Sequence, residues 1–134
     1  MSDAIMDNLH IPATSDTPEV DFRFDAHQLS LRGESYPENA AAFYGDVIRR
    51  LREYLSPLPA ATAVTFDVAL LYFNSSSTKM LFGLFDELNV AAERGVKVVL
   101  NWRHDPDDDT IEEFGTELRD DFPALEFHDL PTRD

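Results

Sequence analysis

The chain has 134 residues, no cysteine and a formal net charge of −15, from 11 basic and 26 acidic side chains. This length suits one domain, since two separate cores would each be very small. The charge excludes nucleic-acid binding through a broad basic surface, and the lack of cysteine excludes disulfides, thiolate metal sites and cysteine nucleophiles.

The N-terminal segment MSDAIMDNLHIPATSD is acidic and has no continuous apolar run, so it does not resemble a secretory signal. No stretch of the chain approaches the ~18 apolar residues that span a bilayer. We therefore expect a soluble cytoplasmic protein with no membrane interaction. The composition predicts a flexible tail over residues 1–7, a single domain over 8–130 and a C-terminal tail over 131–134.

The first third of the chain predicts extended structure. Residues 9–20 (LHIPATSDTPEV) contain two prolines and several short polar side chains, which favours coil on the surface. Residues 19–25 (EVDFRFD) alternate apolar and charged side chains with the period of a half-buried strand, and residues 28–33 (QLSLRG) repeat the pattern. The segment between them, 25–27, is short enough for a hairpin.

The first helix is predicted within GESYPENAAAFYGDVIRRLREYL, because its apolar side chains recur with helical spacing until the SPLP segment ends it. Ser35 followed by Glu38 predicts a capping box at the start of this helix. Pro37 is compatible with a first helical turn.

Much of the scarce positive charge lies near the end of this helix, in Arg49, Arg50 and Arg52. One interpretation is that these cations complement the negative C-terminal end of the helix dipole. The other is that they form a docking face for an acidic partner. The sequence leaves both open.

The second half of the chain predicts two central strands, each followed by a helix. Residues 61–73 (ATAVTFDVALLYF) and 96–102 (VKVVLNW) are rich in β-branched and aromatic side chains, which predicts strands buried on both faces. Helices are predicted over 75–95 and 105–122, and a last short strand over 124–130 (ALEFHDL). The apolar stripes of the two helices are Leu81, Leu84, Phe85, Leu88 and Ala92, and then Ile111, Phe114 and Leu118.

The predicted order of elements is therefore β-β-α-β-α-β-α-β. Strands that alternate with helices predict an α/β domain, with helices packed on a mixed central sheet of about five strands. The initial hairpin supplies the antiparallel part of the sheet, and the later β-α-β units supply the parallel part.

The acidic segment DPDDDTIEE raises a calcium hypothesis, because Asp105, Asp107 and Asp109 match the first three ligand positions of an EF-hand. The motif's turn glycine and bidentate glutamate are both replaced by threonine. A negatively charged helix start explains the run more simply, and Asp109 with Glu112 predicts a second capping box. We therefore predict no specific metal site.

The sequence also offers little for catalysis or a cofactor. The five glycines do not cluster into a phosphate-binding loop. The histidines, His10, His27, His104 and His128, lack the spacing of a zinc helix and are expected to be surface or hydrogen-bonded residues. The alternative hypothesis is a small metal-binding or enzymatic domain that uses His104 and the Asp105–Asp109 run.

The segment that carries most information is Asn74-Ser75-Ser76-Ser77-Thr78, where the longest strand passes into a helix. Serine is a preferred N-cap, but a cap requires one hydroxyl and four are present. A phosphoryl group here would meet free backbone N–H groups and the positive end of the helix. It would also add roughly −1.5 to −2 charge to the surface. The residues alone are consistent with a simple cap or with a phosphorylation switch.

This turn resembles the anti-sigma-factor-antagonist (STAS-like) pattern, in which a strand ends in Asp or Asn and a phosphorylated Ser or Thr follows. The segments NLHIPATSDTPEVDF, LSLRGESYPENAAAFYGDVI, LLYFNSSSTK and LNWRHDPDDDTIEEFGTEL extend the likeness. Together they resemble the SiaC family of bacterial regulatory phosphoproteins, over about Asn8 to Leu130. RGESYPEN and YFNSSS are the most specific parts, because neither is a general feature of α/β domains.

The resemblance implies one STAS-like domain that is not an enzyme and needs no cofactor. It implies three partners: a cognate serine/threonine kinase, a PP2C-type phosphatase and an effector, which in the SiaC branch is a diguanylate cyclase of c-di-GMP signalling, a pathway that governs biofilm formation and aggregation. The unphosphorylated form would bind and control the effector. The phosphoacceptor falls on Ser75, directly after Asn74, where the family often has threonine. Ser76 and Ser77 are interpreted as helix caps, and Asn74 and Thr78 flank the switch.

Overall fold

The computed structural model describes residues 7–132, and the predicted tails lie outside these residues except for Asp7, Pro131 and Thr132. The strands are β1 (Leu9–Ile11), β2 (Glu19–Arg23), β3 (Gln28–Ser35), β4 (Ala63–Phe73), β5 (Lys97–His104) and β6 (Glu126–Pro131). The helices are α1 (Ala40–Leu55), α2 (Ser75–Glu93) and α3 (Asp109–Asp121). Within residues 7–132, none of the helices is long and apolar enough to cross a bilayer.

The six strands form one sheet in the order β1-β2-β3-β4-β5-β6. β1, β2 and β3 are antiparallel, whereas β3 to β6 are parallel, which confirms the predicted α/β fold with a mixed sheet. The predicted hairpin between β2 and β3 is present. The additional strand, β1, falls in the segment predicted as coil, because three residues before a proline are too few to show a period-2 pattern.

All three helices cover one face of the sheet. From β3 onward, each crossover adds the next strand on the same side of the previous one in the sheet. Because such crossovers share one handedness, their helices lie on the same face of the sheet. The buried row Phe22, Leu29, Phe66 and Leu100, whose members are register partners across four strands, faces these helices. The prediction that β4 and β5 are buried on both faces is therefore wrong.

The other face of the sheet is open and polar. Its central row is Asp21, Ser30, Asp67, Asn101 and His128, again register partners across the strands. Asn101 donates a hydrogen bond to Asp67 (Nδ2 to Oδ1, 2.8 Å), and Arg103 pairs with the same carboxylate at 3.3 Å. Polar residues in the middle of β4 and β5 are stable there because this face is in contact with water.

Two of the predicted helix caps are wrong. Ser35 is the buried last residue of β3, and the cap of α1 is Asn39, whose Oδ1 accepts from the N–H of Ala42 at 3.0 Å. The cap of α3 is Asp108, one residue before the predicted Asp109, and it accepts from the N–H of Ile111 at 3.1 Å. The observed cap lies four residues after the predicted one in α1 and one residue before it in α3.

The arginines of α1 have contacts within the protein. Arg49 pairs with Asp46 and Glu53 on its own helix, and Arg52 pairs with Glu87 of α2 at 2.8 Å. Arg50 donates to a backbone carbonyl at 2.8 Å and lies over an aromatic ring. Only Arg52 lies in the last turn of the helix, and nothing in these contacts points to an external acidic partner.

A pair of helical glycines offers a test of the packing. A Cβ on Gly115 in α3 would lie 2.6 Å from Cδ1 of Trp102 and 3.2 Å from the ring of Phe127. The indole cannot move easily because its Nε1 donates to the carbonyl of Ile111 at 2.9 Å. Gly115→Ala is expected to destabilise the protein by about 1–3 kcal/mol in denaturant unfolding. Gly45→Ala, with no atom within 4 Å, should instead stabilise it by about 0.5–1 kcal/mol.

If both alanine variants were equally stable, the close approach of α3 to β5 would be wrong. The two substitutions make the same chemical change in two helices, so any difference between them reports only on the local packing.

Candidate functional site

The turn between β4 and α2 lies at the edge of the sheet where the parallel strands end. In open α/β sheets this carboxyl edge is the usual position of binding sites. The turn is attached to the neighbouring strand, because the N–H of Asn74 donates to the carbonyl of Ser35 at 3.0 Å. The predicted switch segment is thus held at a defined place on the surface.

Asn74 is the N-cap of α2. Its backbone is extended (φ −89°, ψ 176°), and its Oδ1 accepts from the N–H of Ser77 at 2.9 Å. The helix therefore begins at Ser75, and the interpretation of Ser76 and Ser77 as caps is wrong. The sequence alone could not distinguish these candidates, because asparagine and serine are both preferred N-cap residues.

The four hydroxyl residues occupy different environments. Ser75 and Ser76 are exposed in the first helical turn, whereas Ser77 is fully buried. Thr78 is half-buried, and its Oγ1 donates to the carbonyl of Asn74 at 3.1 Å. A modifying enzyme could reach the first two hydroxyls without unfolding the helix, but it could not reach Ser77.

Ser77 belongs to a buried chain of hydroxyls that joins three elements. Ser35 Oγ donates to Ser77 Oγ at 2.8 Å, and Ser35 Oγ lies 2.6 Å from the hydroxyl of Tyr44 on α1. All three side chains are fully buried, and burial raises the pKa of Tyr44 to about 12, so this phenol keeps its proton at neutral pH. The chain fixes the start of α2 against β3 and α1. The sequence did not predict it, because its members are up to 42 residues apart.

Exposed apolar side chains lie near the same edge. Leu71 is 69% exposed, Tyr72 is 50% exposed and Tyr36 is 40% exposed. Tyr36 and Tyr72 contact each other edge to face, with ring centroids 5.8 Å apart. The register of β3 and β4 shifts here, with Leu71 as the unmatched residue before Tyr72. Exposed apolar side chains close together are common at protein interaction sites. The expected burial of β4 on both faces concealed those of Leu71 and Tyr72.

The alternative site around His104 is built differently from its prediction. His104 is buried, and Glu112 and Asp129, rather than the Asp105–Asp109 run, bring their ligand atoms within 4.8 Å of it and of each other. Its Nε2 lies 2.8 Å from Asp129 Oδ1, and its Nδ1 lies 3.0 Å from the carbonyl of Asp105. Both ring nitrogens therefore already have oxygen partners, and hydrogen bonding between β5 and β6 accounts for the arrangement.

Comparisons with known proteins agree with this architecture. The model of the SiaC family of regulatory phosphoproteins matches residues 11–132. A protein of Pseudomonas aeruginosa strain UCBPP-PA14, described only as uncharacterized, is 36% identical over 127 residues, which span 92% of this chain and 99% of that protein.

Solved structures are similar over nearly the whole chain. The crystal structure of apo-SiaC from Pseudomonas aeruginosa superposes with a TM-score of 0.81 at 33% identity, covering 95% of this chain and 100% of that one. A chain in the crystal structure of the diguanylate cyclase SiaD with its activator SiaC, from the same organism, superposes with a TM-score of 0.78. It is 34% identical and covers 90% of this chain and 99% of that one.

Proposed function

Because this chain belongs to the SiaC family of regulatory phosphoproteins, we propose that it is a partner-switching protein whose switch is Ser75. The observation that carries the proposal is the position of Ser75: an exposed hydroxyl at the first residue of α2, directly after the capping Asn74. A phosphate there meets the free N–H groups of the first helical turn. The modified protein can therefore keep its fold.

The chemistry is supplied by partners. A serine/threonine kinase transfers the γ-phosphoryl group of ATP to Ser75 Oγ, and ADP and the hydroxyl proton are released. A PP2C-type phosphatase hydrolyses the ester and returns the free serine and inorganic phosphate. The protein itself acts by binding and catalyses no reaction, and we assign it to the cytoplasm, where its kinase has access to ATP.

The effector we propose is a diguanylate cyclase, by analogy with the SiaD complex of the related SiaC. The unphosphorylated protein binds this cyclase and controls it, which places the chain in c-di-GMP signalling. The binding surface combines the Ser75 turn with the exposed side chains of Tyr36, Leu71 and Tyr72 at the same edge. Tyrosines are enriched where protein interfaces gain most of their free energy.

Phosphorylation changes this surface locally. A group with a charge of roughly −1.5 to −2 at an interface must lose its hydration on binding and is repelled by nearby carboxylates. The chain already carries a net charge of −15, so the effect adds to an existing negative field. Phosphorylation should therefore weaken effector binding without unfolding the protein.

The site assignment is tested by incubating the protein with its kinase and ATP and mapping the product by peptide mass spectrometry. We expect one phosphate, on Ser75. Ser75→Ala should abolish incorporation, whereas Ser77→Ala should preserve it, because the Ser77 hydroxyl is buried and bonded to Ser35. A phosphate found on Ser77 or on serines outside the turn would refute the assignment.

A further inference from the structure

The surface of α2 carries a lysine whose side chain has no hydrogen-bond or ion-pair partner among residues 7–132. This residue, Lys79, is exposed. By contrast, every arginine in this range contacts a carboxylate, a carbonyl, a hydroxyl or an aromatic ring. The other basic residue of this range without a partner is Lys97. Neither lysine is paired with a residue of the described range, so each can pair with a charge that arrives later.

Lys79 stands in a favourable relation to Ser75. The two residues are four positions apart in one helix, so they lie on the same face, with Cβ atoms roughly 5–6 Å apart. Side chains in helices lean toward the N-terminal end of the helix. An ammonium group at position 79 can therefore reach back to the turn that contains Ser75.

The start of α2 carries no negative charge of its own. Its first turn, like that of α1, contains no acidic residue, whereas the first turn of α3 contains Asp109 and Glu112. Carboxylates in a first turn normally stabilise a helix through its dipole. The N-terminus of α2 lacks such a carboxylate, so an anion added there would supply this stabilisation.

We propose that Lys79 is the internal counter-ion of the phosphate on Ser75. The inference rests on the proposed function, which places the phosphate there. In the phosphorylated protein, the ammonium group and the free N–H groups of the first turn both contact the phosphate oxygens. They hold the phosphate against α2 and favour its doubly charged form. Lys79 thus stabilises the phosphorylated state and is a positioning residue for the switch.

The test uses protein in which phosphoserine is incorporated at position 75 during translation. The second pKa of the phosphate, ordinarily near 6, is measured by ³¹P NMR in the otherwise wild-type phosphoprotein and in Lys79→Gln and Lys97→Gln variants. Lys97 is a matched control, because it loses the same charge at the opposite edge of the sheet, beside Ala63. Glu34, the register partner of Tyr72, and Asp105, directly after β5, lie at the same end of the parallel strands as Ser75 and are unchanged in all three proteins.

We expect Lys79→Gln to raise the pKa of the phosphate by about 0.3 unit, the size of an exposed charge pair one helical turn apart. Lys97→Gln should leave it unchanged. Phosphorylation should also raise the melting temperature less in Lys79→Gln than in the other two proteins. Equal phosphate pKa values in wild type and Lys79→Gln would overturn the proposal. Equal shifts in both variants would also overturn it, because they would reflect net charge alone.

This design separates the inference from the proposed function. The phosphoserine is installed without the kinase, and the readout does not involve the effector. A kinase that uses another residue would contradict the proposed function without changing the NMR result. An unchanged phosphate pKa would refute the role of Lys79 and leave the switch at Ser75 intact.

Discussion

Leu84→Ala is expected to lower the free energy of unfolding by about 2–5 kcal/mol, as for other large-to-small changes in protein cores. Leu84 lies in the middle of α2, is 0% exposed and packs within the cluster between the helices and the sheet. The loss combines the transfer free energy of the deleted methyl groups with the cost of a cavity. The measurement is urea unfolding followed by circular dichroism.

The control is Val90→Ala on the same helix. Val90 is 48% exposed, so its truncation should change stability by less than about 0.5 kcal/mol. A loss below about 0.5 kcal/mol for Leu84→Ala would show that this face of α2 does not pack on the sheet. The position of Ser75 at the start of the helix would then need revision.

Substitutions of Ser75 are expected to separate binding from stability. Ser75→Ala should bind the cyclase as the unmodified protein does, and it should remain bound in the presence of kinase and ATP. Ser75→Asp should weaken binding by about 10-fold, since one charge near the interface costs on the order of 1 kcal/mol. Both variants should melt within a few degrees of wild type, because Asn74 caps the helix in all three.

A matched control is Ser76→Asp, which adds the same charge at the neighbouring exposed position. If Ser75 is the switch, Ser75→Asp should weaken cyclase binding more than Ser76→Asp does. Equal binding by Ser75→Asp and wild type, with both folded, would contradict a binding surface around Ser75.

The sequence predicted the elements that have a strong period. Of the predicted stripe on α2, Leu81, Leu84, Phe85 and Leu88 are fully buried and Ala92 is half-buried. The end of α2 at Arg94-Gly95 is confirmed by a positive φ of 105° at Gly95. Both follow from local rules of helix amphipathicity and helix termination. β1 did not follow from such rules, because its three residues form a strand only through pairing with β2.

Which faces of the sheet are buried was harder to predict from the sequence than the positions of the strands. Two-sided burial was inferred from the apolar composition of β4 and β5, but the connections of this sheet place all helices on one side. Asp67 and Asn101, in the middle of these strands, were the available sign of an open face. A single polar residue within an apolar strand indicates an exposed face only weakly unless the topology of the sheet is known.

The sequence singled out the turn of the candidate site but not the different environments of its hydroxyl groups. The order of Asn and four hydroxyl residues identified the turn, and the structure then showed that these hydroxyls are not equivalent. The burial of Ser77 depends on Ser35 and Tyr44, which come from other elements. Contacts between distant parts of the chain have no local signature in one sequence.

The central claim is that a phosphate on Ser75 weakens binding to the effector. Its most direct test is calorimetric titration of the cognate diguanylate cyclase with unmodified protein and with protein carrying phosphoserine at position 75. Like-charge contact at an interface costs several kcal/mol, so we predict a Kd at least ~100-fold higher for the phosphorylated form. Its circular dichroism spectrum and melting temperature should remain close to those of the unmodified protein. Equal affinity of the two forms for the cyclase would contradict the account.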